Sequence, residues 1–424
     1  MDPELRHGMG VPVVPRSPAT LEAVFGREFS IFISSFNQAS RVPMKIAVVN
    51  SFYSNAQPSG ENIAVTDQVG ALREFGHEVE VYGLESPAET AGIRYKAKSA
   101  LTVAGLVGPN PSTELAAFAP DIVHVHNLFP NWGSDWLQGW SNKLVTTLHN
   151  YRAVCSAATL FRDGASCTEC LDNGSLAAVR HKCYRSSTLA TIPLAYASRD
   201  RGSHFKPATQ AQSLITLNRS AQKLFQSIYP TVKVERVPNF VNRSKLPNME
   251  KRVGWVYAGR LTAEKGIYEL LNNWPFGERL DIYGGGELEK QVASVAANRA
   301  DFAYHGLRPR EEVASALSRA NGLLLPSLWS EGIPTIAIEA LSMGTPLIVS
   351  DRVAAVRELT AGDSGVVFSP TDGMSYQPAL ESVLSTRGAM GLRAANLFET
   401  QYGRDVWLGR INRIYAEIHL NGRR

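Results

Sequence analysis

The sequence predicts an α/β protein built from two doubly wound domains that face each other across a cleft. Three observations carry this reading. Short apolar or β-branched runs alternate with helical stretches from Met44 onward, one segment rich in Pro and Asn interrupts the alternation, and it then restarts with the same rhythm. A chain of 424 residues is also longer than one hydrophobic core usually serves.

The first series of strands reads "KIAVVN" at 45–50, "EVEVYG" at 78–83, "DIVHVHN" at 121–127, "KLVTTLH" at 143–149 and "SLITLN" at 213–218. Such runs suit parallel strands buried on both faces. Between the first two, residues 61–75 carry Ile63, Val65, Val69, Leu72 and Phe75 as a candidate helix. "VPNFVNRSKLPNMEKR" at 237–252 reads as the interdomain connection. The second series is "VGWVYAG" at 253–259, "RLDIYGGG" at 279–286, "DFAYHG" at 301–306, "NGLLLPS" at 321–327, "TPLIVSD" at 345–351 and "SGVVFS" at 364–369. A final stretch sets Val406, Leu408, Ile411, Ile414, Tyr415 and Ile418 at helical spacing, an apolar stripe that needs a partner surface.

The chain thus divides into an extension at 1–43, a first domain at 44–242 with a Cys-rich insertion at 150–185, a second domain at 243–402 and a terminal helix at 403–424. The extension is expected to be poorly ordered. As the alternative, its segment "LEAVFGREFSIFISSF" lies on a membrane as an amphipathic helix.

Apolar residues make up 44% and charged residues 19%, a globular balance. The formal charge of +4 is spread out, which argues against a nucleic-acid arm while leaving anionic ligands and an anionic bilayer surface acceptable. No run reaches the about 18 apolar residues of a membrane span, and residues 11–42 lack the pattern of a signal peptide. The expected location is the cytoplasm.

Ligands of open α/β sheets bind beyond the carboxyl ends of the strands, so motifs at strand ends weigh most. "WSEGIPTIAIEALSMG" follows a strand. Pro334 suits the first position of a helix and Gly344 its end. The free amides near Ile333, Thr335 and Ile336 suit a phosphate. Glu331 stands before that anion site and Glu339 beyond it. A ligand with hydroxyls at both ends and a diphosphate between, such as a nucleotide-sugar, satisfies all three; a loop glutamate and a solvated helix face are the bland alternative. In "YAGRLTAEKGIYEL", Arg260 and Lys265 follow a buried strand, with Gly259 and Gly266 leaving room for close approach. Gly60 opens the helix after the first strand. His126 lies near the carboxyl end of "DIVHVHN", at the cleft edge, His149 ends the next strand, and the deeper His124 reads as structural.

All four cysteines fall in one stretch, Cys155, Cys167, Cys170 and Cys183, around a C-x2-C knuckle. A structural zinc held by four thiolates fits this spacing; ordinary reduced thiols and a redox pair stay open beside it.

Taken together, "GRLTAEKG", "EGIPTIAIEAL" with its E-x7-E pair, "DIVHVHN" and the first-strand Gly loop resemble the retaining glycosyltransferases of family four, with the GT-B fold of two Rossmann-like domains. The likeness runs over roughly residues 44–420. The "HNYR…C…CxxC…C" segment looks like a subset acting in bacterial surface-polysaccharide or O-antigen assembly. The resemblance implies that Arg260 and Lys265 bind the donor diphosphate and that Glu331 holds donor-sugar hydroxyls. Gly332, Ile333, Pro334 and Thr335 stand beside that sugar, while Glu339 binds the ribose. It places His126 near the reacting sugar and Gly60 near the donor phosphate and acceptor. It further implies retention at the anomeric carbon without a catalytic metal, a saccharide or lipid-linked acceptor, association at the bilayer surface, and a terminal helix returning to the first domain. The chain departs from the family's "EGFP" with "EGIP", and its first Gly loop is reduced to Gly60. A nicotinamide oxidoreductase lacks its GxGxxG here. A nucleotide-sugar epimerase and a non-catalytic sugar-nucleotide binder are the remaining alternatives.

Overall fold

Each half of the chain builds one six-stranded, fully parallel sheet. The computed structural model describes residues 42–53, 60–86, 92–242 and 252–422; residues 1–41 of the extension, with the segment read as amphipathic, lie outside them. The first half supplies β1 (Lys45–Phe52), β2 (Glu78–Glu85), β3 (Ile122–Asn127), β4 (Leu144–Leu148), a small antiparallel hairpin of β5 (Phe161–Arg162) and β6 (Ala165–Ser166), then β7 (Ser213–Thr216) and β8 (Lys233–Arg236). Its sheet order is β2-β1-β3-β4-β7-β8. The second half supplies β9 (Trp255–Ala258), β10 (Leu280–Tyr283), β11 (Phe302–Gly306), β12 (Gly322–Leu325), β13 (Leu347–Ser350) and β14 (Gly365–Phe368), in the order β11-β10-β9-β12-β13-β14.

The apolar runs form central strands because both faces are covered. On β1, Ala47 and Val49 enter one core cluster while Ile46 and Val48 enter another. On β9, Val256 and Ala258 face one way, Trp255 and Tyr257 the other. Period-two alternation thus survives inside runs that read as uniformly apolar. The strand β8 is not legible in the sequence: "KVER" is a short strand at the sheet edge, with three of its four residues charged.

The terminal helix Arg404–Asn421 buries Trp407, Leu408, Ile411, Ile414, Tyr415 and Ile418. They join Met44, Ile46, Val48 and Val65 of the first half in one cluster. Trp407 takes the buried place expected for Val406, which is only half-buried. Val241, at the end of the first half, and Gly403, before the terminal helix, pair as an isolated parallel bridge. Among the described residues no helix is long and apolar enough to cross a membrane.

Strand order reverses beside β1, between β2 and β3, and again beside β9, between β10 and β12. Those two switch points are where crevices open at the carboxyl ends of a parallel sheet. Both halves belong to one densely connected unit, Pro43–Arg424.

Candidate active-site cleft

Two loops meet at the switch point of the second sheet. After β9 the chain turns through Gly259 and a short 3₁₀ turn, Ala263–Lys265, to Gly266. After β12 it runs from Pro326 to Pro334. Gly266 sits at φ +70°, and a Cβ there would collide with the Pro326 carbonyl, so only glycine lets the loops approach this closely. The Leu328 amide donates to the Glu264 carbonyl at 2.9 Å and ties them. Lys265 Nζ closes on Glu331 Oε2, and Ser327 Oγ donates to Glu331 Oε1. Glu331 is 4% exposed, and the Lys265 ammonium lies 5.6 Å from the centre of the Trp329 ring.

The helix that follows is Thr335–Ser342. Pro334 does not open it, as expected from sequence, but precedes it in extended conformation (φ −66°, ψ 138°). The amides of Thr335 and Ile336 then have no intrahelical acceptor and form a positive end. Glu339 is buried on this helix and accepts from Arg310 Nε at 2.7 Å. Burial raises the pKa of Glu339, and Arg310 pulls it back. Arg260 stands apart: its side chain is 62% exposed and pairs with Glu264 at 3.3 Å. The basic pair expected from sequence is therefore split into an enclosed lysine and an outward arginine.

The first half meets these elements directly. A Cβ on Gly60 would lie 3.6 Å from Thr335 Oγ1, and one on Gly332 would lie 3.0 Å from Asn218 Nδ2. Arg310 Nη1 stands 3.9 Å from Asp67, on the helix Gly60–Phe75. The Arg219 amide donates to Glu358 at 3.1 Å, and Ser220 Oγ to the Ala354 carbonyl at 3.1 Å.

At the first sheet's switch point lies a cavity of about 240 Å³, lined in part by Glu61, His126, Asn127, Phe129, His149 and Arg152. Arg152 stacks on Phe129, its guanidinium carbon 3.9 Å from the ring centre. Arg152 Nε and Glu61 Oε1 are both buried with no hydrogen-bond partner. A carboxyl and a guanidinium thus line one cavity, each with a buried polar atom unpaired, a state that a polar ligand would satisfy. Burial pushes the Glu61 carboxyl up to about 7, with Asn127 and Arg152 opposing.

His126 Nδ1 lies 3.0 Å from His149 Nε2, and its ring stacks on His124 at 4.1 Å. His124 spends both ring nitrogens inside the core, on Tyr415 Oη at 2.6 Å and Thr147 Oγ1 at 2.8 Å, a structural place. Burial holds all three below the usual imidazole range: His124 at about 3, His149 at about 4, and His126 well down. The row is neutral at pH 7, so His126 lines the cavity as an uncharged group.

The four cysteines, none in a disulfide, line one small cavity. Among the described residues, however, no three His, Cys, Asp or Glu side chains are already gathered into a metal-holding group.

Sequence reasoning missed Arg310, Glu61 and Arg152. It also missed two buried polar atoms without partners in the second-half loops, Thr262 Oγ1 and Trp329 Nε1. Arg152 and Glu61 each stood beside a recognisable motif, in "HNYR" and after Gly60. Nothing in "RPREE" indicated that Arg310 would reach across to Glu339.

Two six-stranded parallel sheets whose strand-end loops meet, Gly60 of one half against Thr335 of the other, have the GT-B arrangement. Residues 252–386 match the family described as glycosyl transferases group 1. The chain is similar to the glycogen synthase of Mycobacterium tuberculosis, 25% identical over 201 residues, which are 44% of this chain and 48% of that protein. It is 30% identical over 128 residues to the putative teichuronic acid biosynthesis glycosyltransferase TuaC of Bacillus subtilis, covering 30% of this chain and 31% of that one. The chain thus spans less than half the length of these curated relatives. Among solved structures, sucrose-phosphate synthase from Thermosynechococcus elongatus superposes with a TM-score of 0.62 at 15% identity, over 89% of this chain and 99% of that one.

Proposed function

We propose that the protein is a retaining glycosyltransferase that moves a sugar from a nucleotide-sugar to a saccharide or lipid-linked acceptor, in the assembly of a bacterial surface polysaccharide. The carrying observation is the convergence of Lys265 and Glu331 before the open helix start at Thr335, with Gly60 of the other half against it. A diphosphate at that helix start meets amides and the Lys265 ammonium. Arg260 swings inward to join them when donor binds. The Glu331 carboxylate holds the sugar hydroxyls, and Glu339 takes the ribose in place of part of its Arg310 contact. Lys265 and Arg260 supply the positive charge that other sites take from a metal.

In the reaction, the bond from the anomeric carbon to the donor phosphate oxygen breaks and the nucleoside diphosphate leaves with the electron pair. The acceptor oxygen bonds that carbon from the same face, and its proton passes to a departing phosphate oxygen. The acceptor enters through the cavity of Glu61, Asn127 and Arg152, with neutral His126 donating to or accepting from the reacting sugar. A lipid-linked acceptor places this cavity at a bilayer. The helices Ile93–Val103 and Thr188–Ala197 beside it support that position: they expose Ile93, Leu101, Leu189 and Ile192 along with Arg94, Lys96 and Lys98.

Incubation with a panel of nucleotide-sugars, with and without oligosaccharide and lipid-linked acceptors, tests the reading. Acceptor-dependent nucleotide release that survives a chelator, with a product of retained anomeric configuration by NMR, is expected. An inverted product would overturn the retaining assignment. A donor epimerised without nucleotide release would overturn transfer altogether.

A further inference from the structure

We propose that Cys155, Cys167, Cys170 and Cys183 hold a structural zinc ion that braces the insertion between β4 and β7. They are the only cysteines of the chain, and all four line one cavity of about 20 Å³. That is of the order of the roughly 10–15 Å³ of a single water-sized sphere, enough for one ion.

The backbone presents each thiol from a fixed turn. The Cys155 amide bonds the Tyr151 carbonyl at 2.8 Å. The Cys167 amide bonds the Leu160 carbonyl at 2.8 Å, where the β5–β6 hairpin closes. Cys170 lies in the first turn of the helix Glu169–Asn173, and the Cys183 amide bonds the Ala178 carbonyl at 3.0 Å. Cys167 and Cys170 would thus supply the knuckle of the site, with Cys155 before it in the chain and Cys183 after it.

The surroundings suit a thiolate set, which carries excess negative charge around a divalent ion. Arg162 lines the same cavity and pairs with Glu169 at 2.6 Å, and Glu169 in turn holds His181 at 3.1 Å. A cation anchored this way screens the site from its outer shell. The thiols surround the cavity more loosely than bound ligands would; zinc–sulfur bonds of about 2.3 Å would pull them in. Each thiol releases its proton to solvent as its bond to zinc forms, and nothing is oxidised. Metal binding and tightening of the insertion are then one equilibrium. With four thiolates no coordination position is open, so the ion braces and does not catalyse. What it braces matters, because the insertion joins Arg152 to Leu194 and Tyr196, all on the wall of the large cavity.

The test is metal content of the full chain, purified without any metal-affinity step. X-ray fluorescence is expected to find zinc at one ion per chain, and the double variant C167S/C170S is expected to lose it. Because that variant can fail to fold, wild-type protein stripped with a chelator is titrated with cobalt(II). The visible absorption of a tetrahedral thiolate site and a raised melting temperature are expected. Folded wild-type protein with no stoichiometric metal and no cobalt spectrum would overturn the proposal. So would a folded double variant that keeps its zinc, or a disulfide among the four cysteines by mass spectrometry. None of these readouts uses sugar transfer, so the site stands or falls independently of the proposed reaction.

Discussion

Lys265 and Glu331, 66 residues apart in sequence, close on each other at the carboxyl ends of neighbouring strands β9 and β12. The lysine side chain is 17% exposed and the glutamate 6%, so the pair is largely withdrawn from water. Removing one member leaves the other enclosed without its counter-charge, which costs on the order of 3–5 kcal/mol for a fully buried pair and less here. Glu331→Ala and Lys265→Ala are each expected to lower turnover about 10²–10³-fold, the scale for loss of one preorganised group at developing charge. Steady-state rates with the true donor, together with circular dichroism to establish folding, check this. Near-native turnover in both folded variants would remove these residues from the mechanism.

Glu339 is proposed to act at the far end of the donor, away from the bond that breaks. An interaction made equally in ground and transition states changes KM and spares kcat. Glu339→Ala is therefore expected to raise donor KM about 10–100-fold, equivalent to roughly 1–3 kcal/mol, with kcat nearly kept. Arg310→Ala also frees Asp67 and loosens the contact between the halves. A kcat collapse in Glu339→Ala would place this carboxylate at the reacting end instead.

Local pattern made the fold legible where strands were central, since both-face burial leaves a continuous apolar run, as in β1, β3, β9 and β12. It failed at the β8 edge, where Glu235 reaches Lys233 and Arg413 instead of a core. At the cleft, the glutamates, the lysine and the glycines stand in contiguous motifs, so their placement at strand ends could be read. The places of Arg310 and Arg152 could not: they are set by neighbours brought together by the fold, Glu339 in one case and Phe129 in the other. The outward course of Arg260 was equally hidden, because spacing does not reveal that Glu264, four residues on, would engage it.

The two glycines flanking the Arg260–Lys265 loop are expected to respond unequally to alanine. At Gly259 the nearest atom to an added Cβ is the Tyr257 hydroxyl at 3.4 Å, an ordinary contact. At Gly266 the added atom meets the Pro326 carbonyl, and the backbone is left-handed, a conformation that alone costs about 1–2 kcal/mol for a residue with a Cβ. Gly266→Ala should thus lower the melting temperature by several degrees and displace Lys265, whereas Gly259→Ala should leave it near wild type. Equal melting curves for the two variants would contradict this loop packing.

Titration of Glu61 and the buried histidine row of the first half gives a pH dependence with two opposing signs. Burial depresses the folded-state pKa values of His124, His149 and His126, to about 3 and about 4 for the first two. Below the ordinary imidazole range the unfolded chain takes protons that the folded chain refuses, so stability falls as pH drops from about 6.5. Each such group contributes a slope of about 1.4 kcal/mol per pH unit until its folded value is reached. Glu61 acts the other way: its carboxyl, raised to about 7, is protonated earlier in the folded chain, so stability rises as pH falls from 7 toward the ordinary glutamate value. Three imidazoles outweigh one carboxyl, and net acid destabilisation between about pH 6 and 4 is expected. Glu61→Gln removes the penalty of ionising that carboxyl, so it should raise stability relative to wild type at pH 8 and bring no such gain at pH 4.5. Chemical denaturation across this range measures both effects, and a Glu61→Gln gain that is the same at both pH values would show that the carboxyl does not titrate as its burial requires.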